Sequence, residues 1–345
     1  MKALVKVKPG PGHLEWMDVP EPECPEDSIK IEVKYAGICG TDLHIAHDTF
    51  INSPPVILGH EFSGVVTEVG SKITKVKPGD RVVVLPSNAG TCRTCEYCKL
   101  GFYWFCSERK GMGIGMDGCF TRYAVVLEDM VYKIPDHVSF EEAALAEPLS
   151  VLVQAIEELT PIGVGDTVLV SGPGPIGLIA TLLLKSKGCK VIVAGTSSDA
   201  FRLELAEKIG ADRTIDALTQ DLEQLVRLET SGRGVDVAIE CAGAPASVVS
   251  CLKALRRMGK YVQVGIIGKE VTLEFDTILF KGLQVYGSGG HSLSTWEKTM
   301  KIIEQRQVDL NSLITHRIPL SQWKEGFEIC EEKQGGKVIL FYDAQ

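Results

Sequence analysis

Four cysteines, Cys92, Cys95, Cys98 and Cys106, stand with two, two and seven residues between them, and Gly90 and Gly101 supply turns around them. Thiolates this close in the chain can converge on one ion. An all-cysteine tetrahedral set has no open position and is a structural zinc site. Disulfide pairing is the alternative, and it belongs to oxidising compartments. A second group is mixed: Cys39 in AGICGTDLH, His60 and Glu61 in LGHEFSG, and Glu147 in AALAEPL bring a thiolate, an imidazole and carboxylates. Three protein ligands plus an exchangeable position make a catalytic zinc. An alcohol coordinated there would lose its proton more readily, as zinc-bound water does when its pKa drops to about 7. The alkoxide would then expel hydride.

A hydride needs an acceptor. Gly172-Pro173-Gly174-Pro175-Ile176-Gly177 follows the strand-like TVLVS directly and opens a helical pattern, the context in which a glycine-rich turn binds a dinucleotide. The first glycine allows the tight turn, the second lets backbone approach a pyrophosphate, and the third lets helix pack on strand. The helix N-terminus adds oriented N–H donors. The next strand, KVIVAG, should deliver an acidic residue for the adenosine ribose of NAD, but it ends at Gly195, followed by Thr196, Ser197 and Ser198, with Arg202 beyond. Loss of a carboxylate removes repulsion of a 2′-phosphate, and hydroxyls with an arginine can bind one. The cofactor is therefore expected to be NADP or NAD, leaning to NADP; in the alternative, Asp199 holds the ribose and the preference is for NAD.

These residues require two kinds of scaffold. To about residue 135 the chain reads as short strands, IKIEVKYAG, FSGVVTEVG, DRVVVLP and YAVVLEDMVYKIP, bounded by Gly, Pro or Asp, an irregular β-rich barrel. FEEAALAEPLSVLVQAIEEL then reads as a helix. Beyond it strands and helices alternate, which predicts a parallel sheet covered on both faces. From about His291 the texture returns to mixed helix and edge strand, ending in KVILFY and expected to rejoin the first domain. At 345 residues two cores are expected. A net charge of -9 without a basic run argues against nucleic acid or an anionic membrane as partner. The opening MKALVKVKPG has no apolar stretch of signal-peptide length, and the run Ile176 to Leu184 is too short to span a bilayer, so a cytoplasmic location is expected. Eleven cysteines in such a chain point to metal or catalysis, and the six scattered ones to small buried hydrophobes.

GICGTDLH, GHEFSGVV, the four-cysteine lobe, AEPL and GPGPIG follow one another in the order found in the zinc-containing medium-chain dehydrogenases, which the chain resembles over nearly its whole length. The likeness is strongest to the polyol (sorbitol-like) and L-threonine dehydrogenase branch, because Glu147 stands where ordinary alcohol dehydrogenases place a second cysteine. The resemblance implies an α/β protein: a GroES-like β-rich catalytic domain over 1–150 and 291–345, with its zinc lobe at 90–107, and a Rossmann doubly wound parallel sheet over 151–290. It implies that Cys39, His60 and Glu61 are zinc ligands and that Glu147 is a ligand or a partner of the zinc-bound water, the two glutamates exchanging in turnover. Thr41 matches the hydroxyl beside the substrate oxygen and His44 the outer proton-relay histidine; the alternatives are a helix N-cap for Thr41 and a packed ring for His44. Asp42 would orient the metal ligands. Cys241, Val264, Gly265 and Ser288 match segments that line the cofactor, whereas His13, His47, His137, His291 and His316 are expected at the surface or in packing. Two zinc ions per chain and a homotetramer or dimer are implied. The expected reaction is hydride transfer between a polyol, sugar alcohol or other secondary alcohol and NAD(P). L-threonine 3-dehydrogenase is the alternative within enzymes, and a non-catalytic, crystallin-like nucleotide-binding protein the alternative outside them.

Overall fold

In the computed structural model, which describes residues 1–343, the β-branched runs of the N-terminal half pair as their alternation requires. The long strand Ser28–Gly37 sits between Glu61–Val69 and Lys337–Phe341 and also pairs with Tyr123–Leu127. Arg81–Val84 and Val131–Lys133 extend the sheet on one side, and Ile314–Pro319 closes the other. A small sheet of Leu14–Asp18, Lys2–Lys6 and Val56–Ile57 lies beside it. The C-terminal strand thus lies inside the first sheet. Ala344 and Gln345, the end of the 291–345 stretch, lie outside the described residues.

The second sheet has six strands, all parallel, in the spatial order Arg213–Asp216, Lys190–Gly195, Thr167–Ser171, Val235–Glu240, Leu255–Gln263, Gln284–Gly287. Order reverses between Thr167–Ser171 and Val235–Glu240. The crevice outside the carboxyl ends of strands at such a reversal is where open α/β sheets bind ligands. Strands buried on both faces read as continuous apolar runs, and TVLVS and KVIVAG do.

One expected helix is divided. FEEAALAEPLSVLVQAIEEL forms a short helix Phe140–Ala143, a second helix Ala146–Val153 and a wider π-helical turn Gln154–Leu159. Pro148 explains the first break, since its ring cannot follow the carbonyl of Ala144 in an unbroken helix and it has no N–H to offer. Ser139 caps the first piece through the Glu142 N–H. The second piece packs against helices Pro175–Ser186 and Leu293–Glu304, and its Leu149 and Leu152 belong to a core that also contains Val83 of the first sheet and Val168 of the second. YAVVLEDMVYKIP is likewise interrupted, by a 3₁₀ turn at Glu128–Met130. Among the described residues no helix is long and apolar enough to cross a membrane.

Candidate active site

Cys39 occupies the N-cap of helix Gly40–Ala46 and Asp42 closes the cap from the third helical position, accepting the Cys39 N–H at 2.9 Å. Thr41, whose alternative reading was the N-cap, therefore lies inside the helix with its hydroxyl 3.7 Å from Cys39 Sγ. His60 and Glu61 arrive from the other side, at the start of strand Glu61–Val69. Ligand atoms of Cys39, His60 and Glu61 lie within 4.8 Å of one another, so this trio can hold one metal ion. Asp42, fully buried, places Oδ1 3.7 Å from His60 Nδ1. Burial pushes the Asp42 carboxyl up. For His60 burial acts against the charged ring, but Cys39, Asp42 and Glu147 outweigh it and hold the imidazole well above its usual range.

Glu147, expected among the ligands, stands outside this trio. It sits in the first turn of its helix with Oε1 3.9 Å from His291 Nε2, and burial raises its pKa to about 7. The residue that competes for Glu61 is Lys337, the buried first residue of the C-terminal strand, which pairs with the Glu61 carboxylate and donates to Ile38 O at 2.8 Å. The proton path is incomplete as it stands: no hydrogen bond joins Thr41 to His44, and the exposed His44 ring bonds Thr49 Oγ1 at 2.9 Å instead.

Cys92, Cys95, Cys98 and Cys106 converge with all ligand sulfurs within 4.8 Å. Cys92 Sγ lies 3.6 Å from Cys106 Sγ and 4.0 Å from Cys98 Sγ. A tetrahedron with zinc–sulfur bonds of ~2.3 Å has edges of about 3.8 Å, so the spacing fits zinc and not a 2.05 Å disulfide. Backbone N–H groups of Cys95 and Thr94 aim at Cys92 and lower its pKa to about 6, whereas burial raises that of Cys98 to about 12. All eleven cysteines are free.

The glycine turn is built as its spacing predicts. Gly172 has φ of +101° and comes so close to Ala242 that a Cβ would lie 2.5 Å from its nitrogen; at Gly177 a Cβ would lie 1.9 Å from Gly172 O. Around Gly174 there is open space, and Gly174, Pro175 and Ile176 line a cleft of about 360 Å³ that also takes in Cys39, Thr41, His44, His60, Glu61 and Glu147. Cys241, Val264, Gly265 and Ser288 line the same cleft, and Pro173 packs beside it against Gly195.

Arg202 is a correction. Its guanidinium is buried and donates to Gly335 O at 2.8 Å and Cys330 O at 3.2 Å, tying helix Ala200–Lys208 to the C-terminal segment, so it is not free for a 2′-phosphate. Asp199 is equally occupied: Oδ2 accepts from Thr196 N and Oγ1, and Oδ1 pairs with Lys333 at 2.9 Å. The cation near these hydroxyls is Lys333, which pairs with Asp199 and also donates to Ser198 Oγ at 3.0 Å, while Ser197 bonds Asp216. Gly195 is also a steric choice, since a Cβ would meet Pro173 at 2.9 Å.

Sequence reasoning missed Arg109, Ser87, His291 and Lys337, all of which line the cleft. His291, read as a surface or packing residue, is stacked on Trp296, and burial lowers its pKa to about 4. A lysine opening the apolar strand KVILF was the one signal available for Lys337.

Residues 25–136 match the alcohol dehydrogenase GroES-like domain, and residues 175–305 the zinc-binding dehydrogenase family. The chain is 38% identical to a sorbitol dehydrogenase of Halalkalibacterium halodurans, covering 99% of each chain. It is 36% identical to a D-arabitol-phosphate dehydrogenase of Enterococcus avium, over 99% of this chain and 97% of that one. A zinc-binding dehydrogenase of Sinorhizobium meliloti, solved bound to NADP, superposes with a TM-score of 0.89 at 30% identity, over 99% of this chain and 98% of the other.

Proposed function

The chain belongs to the zinc-binding dehydrogenases with an alcohol dehydrogenase GroES-like domain, and on that premise we propose that it oxidises a polyol, sugar alcohol or related secondary alcohol and passes the hydride to NADP or NAD. The observation that carries this reading is that the Cys39, His60, Glu61 trio and the Gly172–Gly177 turn open into one cleft. The donor set fits zinc: one soft thiolate, one imidazole and one carboxylate, with room in the cleft for an exchangeable partner. Zinc there would supply Lewis acidity that eases loss of the alcohol proton, and the nicotinamide would accept the hydride. Cys39, His60 and Glu61 hold the metal, Asp42 fixes the imidazole, and Lys337 balances Glu61. Thr41 would accept the alcohol proton while releasing its own, and His44 would carry it outward once its ring turns from Thr49. Glu147, poised near neutrality, stands by to exchange with Glu61. The four-cysteine lobe holds a second, structural zinc.

The same reading divides the chain into a catalytic domain over 1–150 and 291–345 and a dinucleotide domain over 151–290. NADP is favoured by the missing carboxylate at Gly195 and by Lys333 beside Ser198. A dimer or tetramer is supported by the exposed Phe275, Leu279, Phe280 and Val285 along the edge of the parallel sheet, and a cytoplasmic setting by a four-cysteine cluster spaced for metal and not for disulfides. Elemental analysis of the metal-replete protein, joined to a panel of polyols, sugar alcohols and L-threonine with both cofactors, tests it. Two zinc ions per chain and zinc-dependent oxidation are expected. One zinc would mean that one of the two clusters is misread, and no oxidation of any alcohol would reject the reading.

A further inference from the structure

Arg109 is placed where burial makes an arginine costly, and Glu147 and Cys106 act on its charge only from a distance. Its side chain lines the same cleft as the metal-holding trio, yet among the described residues no carboxylate lies within 4.0 Å of it. The other ammonium or guanidinium in that lining, Lys337, is committed to Glu61. One face of the Arg109 guanidinium lies over the Trp104 ring, 4.7 Å from its centroid, and Nε donates to Ser87 O at 3.1 Å. Both terminal nitrogens are left without a protein acceptor.

The side chain is held rigidly. Its own N–H donates to Cys106 O at 3.1 Å, so the four-cysteine lobe sets its height, and Trp104 is wedged in turn against Gly289 and Gly290. Beside it, Ser87 is only 4% exposed and its hydroxyl has no hydrogen-bond partner, although it lines the same cleft. A fixed planar fork with unpaired N–H groups next to an unpaired buried hydroxyl matches an oxyanion in shape and charge. A neutral polyol offers hydroxyl acceptors but no charge to match the guanidinium.

We propose that the alcohol oxidised in this cleft carries an oxyanion, a phosphate or carboxylate group remote from the reacting carbon, which Arg109 binds through its terminal nitrogens with Ser87 donating beside it. This rests on the dehydrogenase reading above and names the substrate class of that site. It makes Arg109 a specificity residue for the substrate, separate from the metal ligands.

The test compares kcat/KM of the zinc-loaded enzyme for three pairs: a pentitol or hexitol against its terminal phosphate ester, a diol against the corresponding hydroxy acid, and an amino alcohol against L-threonine. At least one member bearing a phosphate or carboxylate should exceed its partner without that group by about 100-fold, the scale of two charge-assisted hydrogen bonds. The pair that does so separates phosphate from carboxylate. In Arg109→Gln that ratio should collapse to within about tenfold, with Arg109→Lys retaining part of it, because a point charge keeps attraction but loses the fork. Inorganic phosphate should inhibit the wild type competitively against the alcohol and do so more weakly in Ser87→Ala and Arg109→Gln. Members without that group oxidised as well as those bearing it, a ratio unchanged by Arg109→Gln, or no competition by phosphate in the wild type would overturn the inference. If Arg109→Gln fails to hold zinc, the wild-type ratios and phosphate competition decide alone. Failure of every alcohol, charged or neutral, to reduce either nicotinamide would instead reject the dehydrogenase reading itself.

Discussion

At the scale of single residues, the charges around the metal-holding trio set its pH behaviour. His60 must be neutral to ligate, but without the ion Cys39, Asp42 and Glu147 hold its proton well above the usual imidazole range. Zinc entry must displace that proton, so affinity should fall as pH drops through neutrality, by about tenfold per unit for each proton displaced. Glu147 acts in the same direction, since below its pKa of about 7 it loses the negative charge that attracts the ion. Competition with a chromophoric chelator between pH 8 and 6 reads this directly, and a flat profile would contradict it. A second residue-scale prediction concerns Lys333, the cation beside Ser198. Lys333→Gln should shift the ratio of kcat/KM for NADP over NAD toward NAD by about tenfold, with a matching change in the two dissociation constants by fluorescence titration. An unchanged ratio would leave Lys333 only its contact with Asp199. The four cysteines converge as their spacing suggested, and Cys39, His60 and Glu61 meet as the family resemblance implied, whereas Glu147, expected with them, stands outside the trio. Arg202 was misjudged because a sequence shows that a cation is near a strand end, not that its guanidinium turns away to cap the carbonyls of Cys330 and Gly335.

At the scale of elements, the lobe between the four cysteines contains only a four-residue helix, Glu96–Lys99, and a 3₁₀ turn, Tyr103–Phe105, with Tyr97, Phe102 and Phe105 partly exposed. Such a segment has almost no core, and on the proposed reading zinc would hold it. Cys106→Ser should lower bound zinc from two ions to one and the thermal midpoint by about 5 °C or more, as measured by elemental analysis and calorimetry. Retention of two ions would refute the assignment. Because Arg109 hangs from the Cys106 carbonyl, substrate discrimination should loosen with the lobe. Strand and helix periodicity was largely legible here: TVLVS, KVIVAG and VDVAIE appear as strands where alternation and apolar runs placed them. The break at Ala144 and Leu145 was missed although Pro148 announced it, since helical spacing of apolar residues continues across the break. Ser87, Arg109 and His291 in the cleft lining were not legible, because they come from three separate turns that only tertiary packing brings together.

At the scale of the whole molecule, the parallel sheet ends in an unprotected edge. Strand Gln284–Gly287 has a single neighbour, Val285 is 51% exposed, and Leu279 and Phe280 of the preceding helix are more than 70% exposed. An edge of this kind invites pairing with another copy. Val285→Lys combined with Leu279→Asp should halve the particle mass seen by light scattering, and a wild type already monomeric would remove the expectation. The other sheet has the opposite property: its central strand, Ser28–Gly37, is flanked by the C-terminal strand Lys337–Phe341, whose Lys337 reaches Ile38 O from 299 positions away in the chain. During synthesis the six parallel strands can assemble once residue 287 has emerged, while the first sheet must wait with one flank of its central strand open until residues 337–341 follow. Glu61 meets Lys337 only after that strand emerges, so a growing chain can finish its parallel sheet well before the pocket around Cys39, His60 and Glu61 is closed.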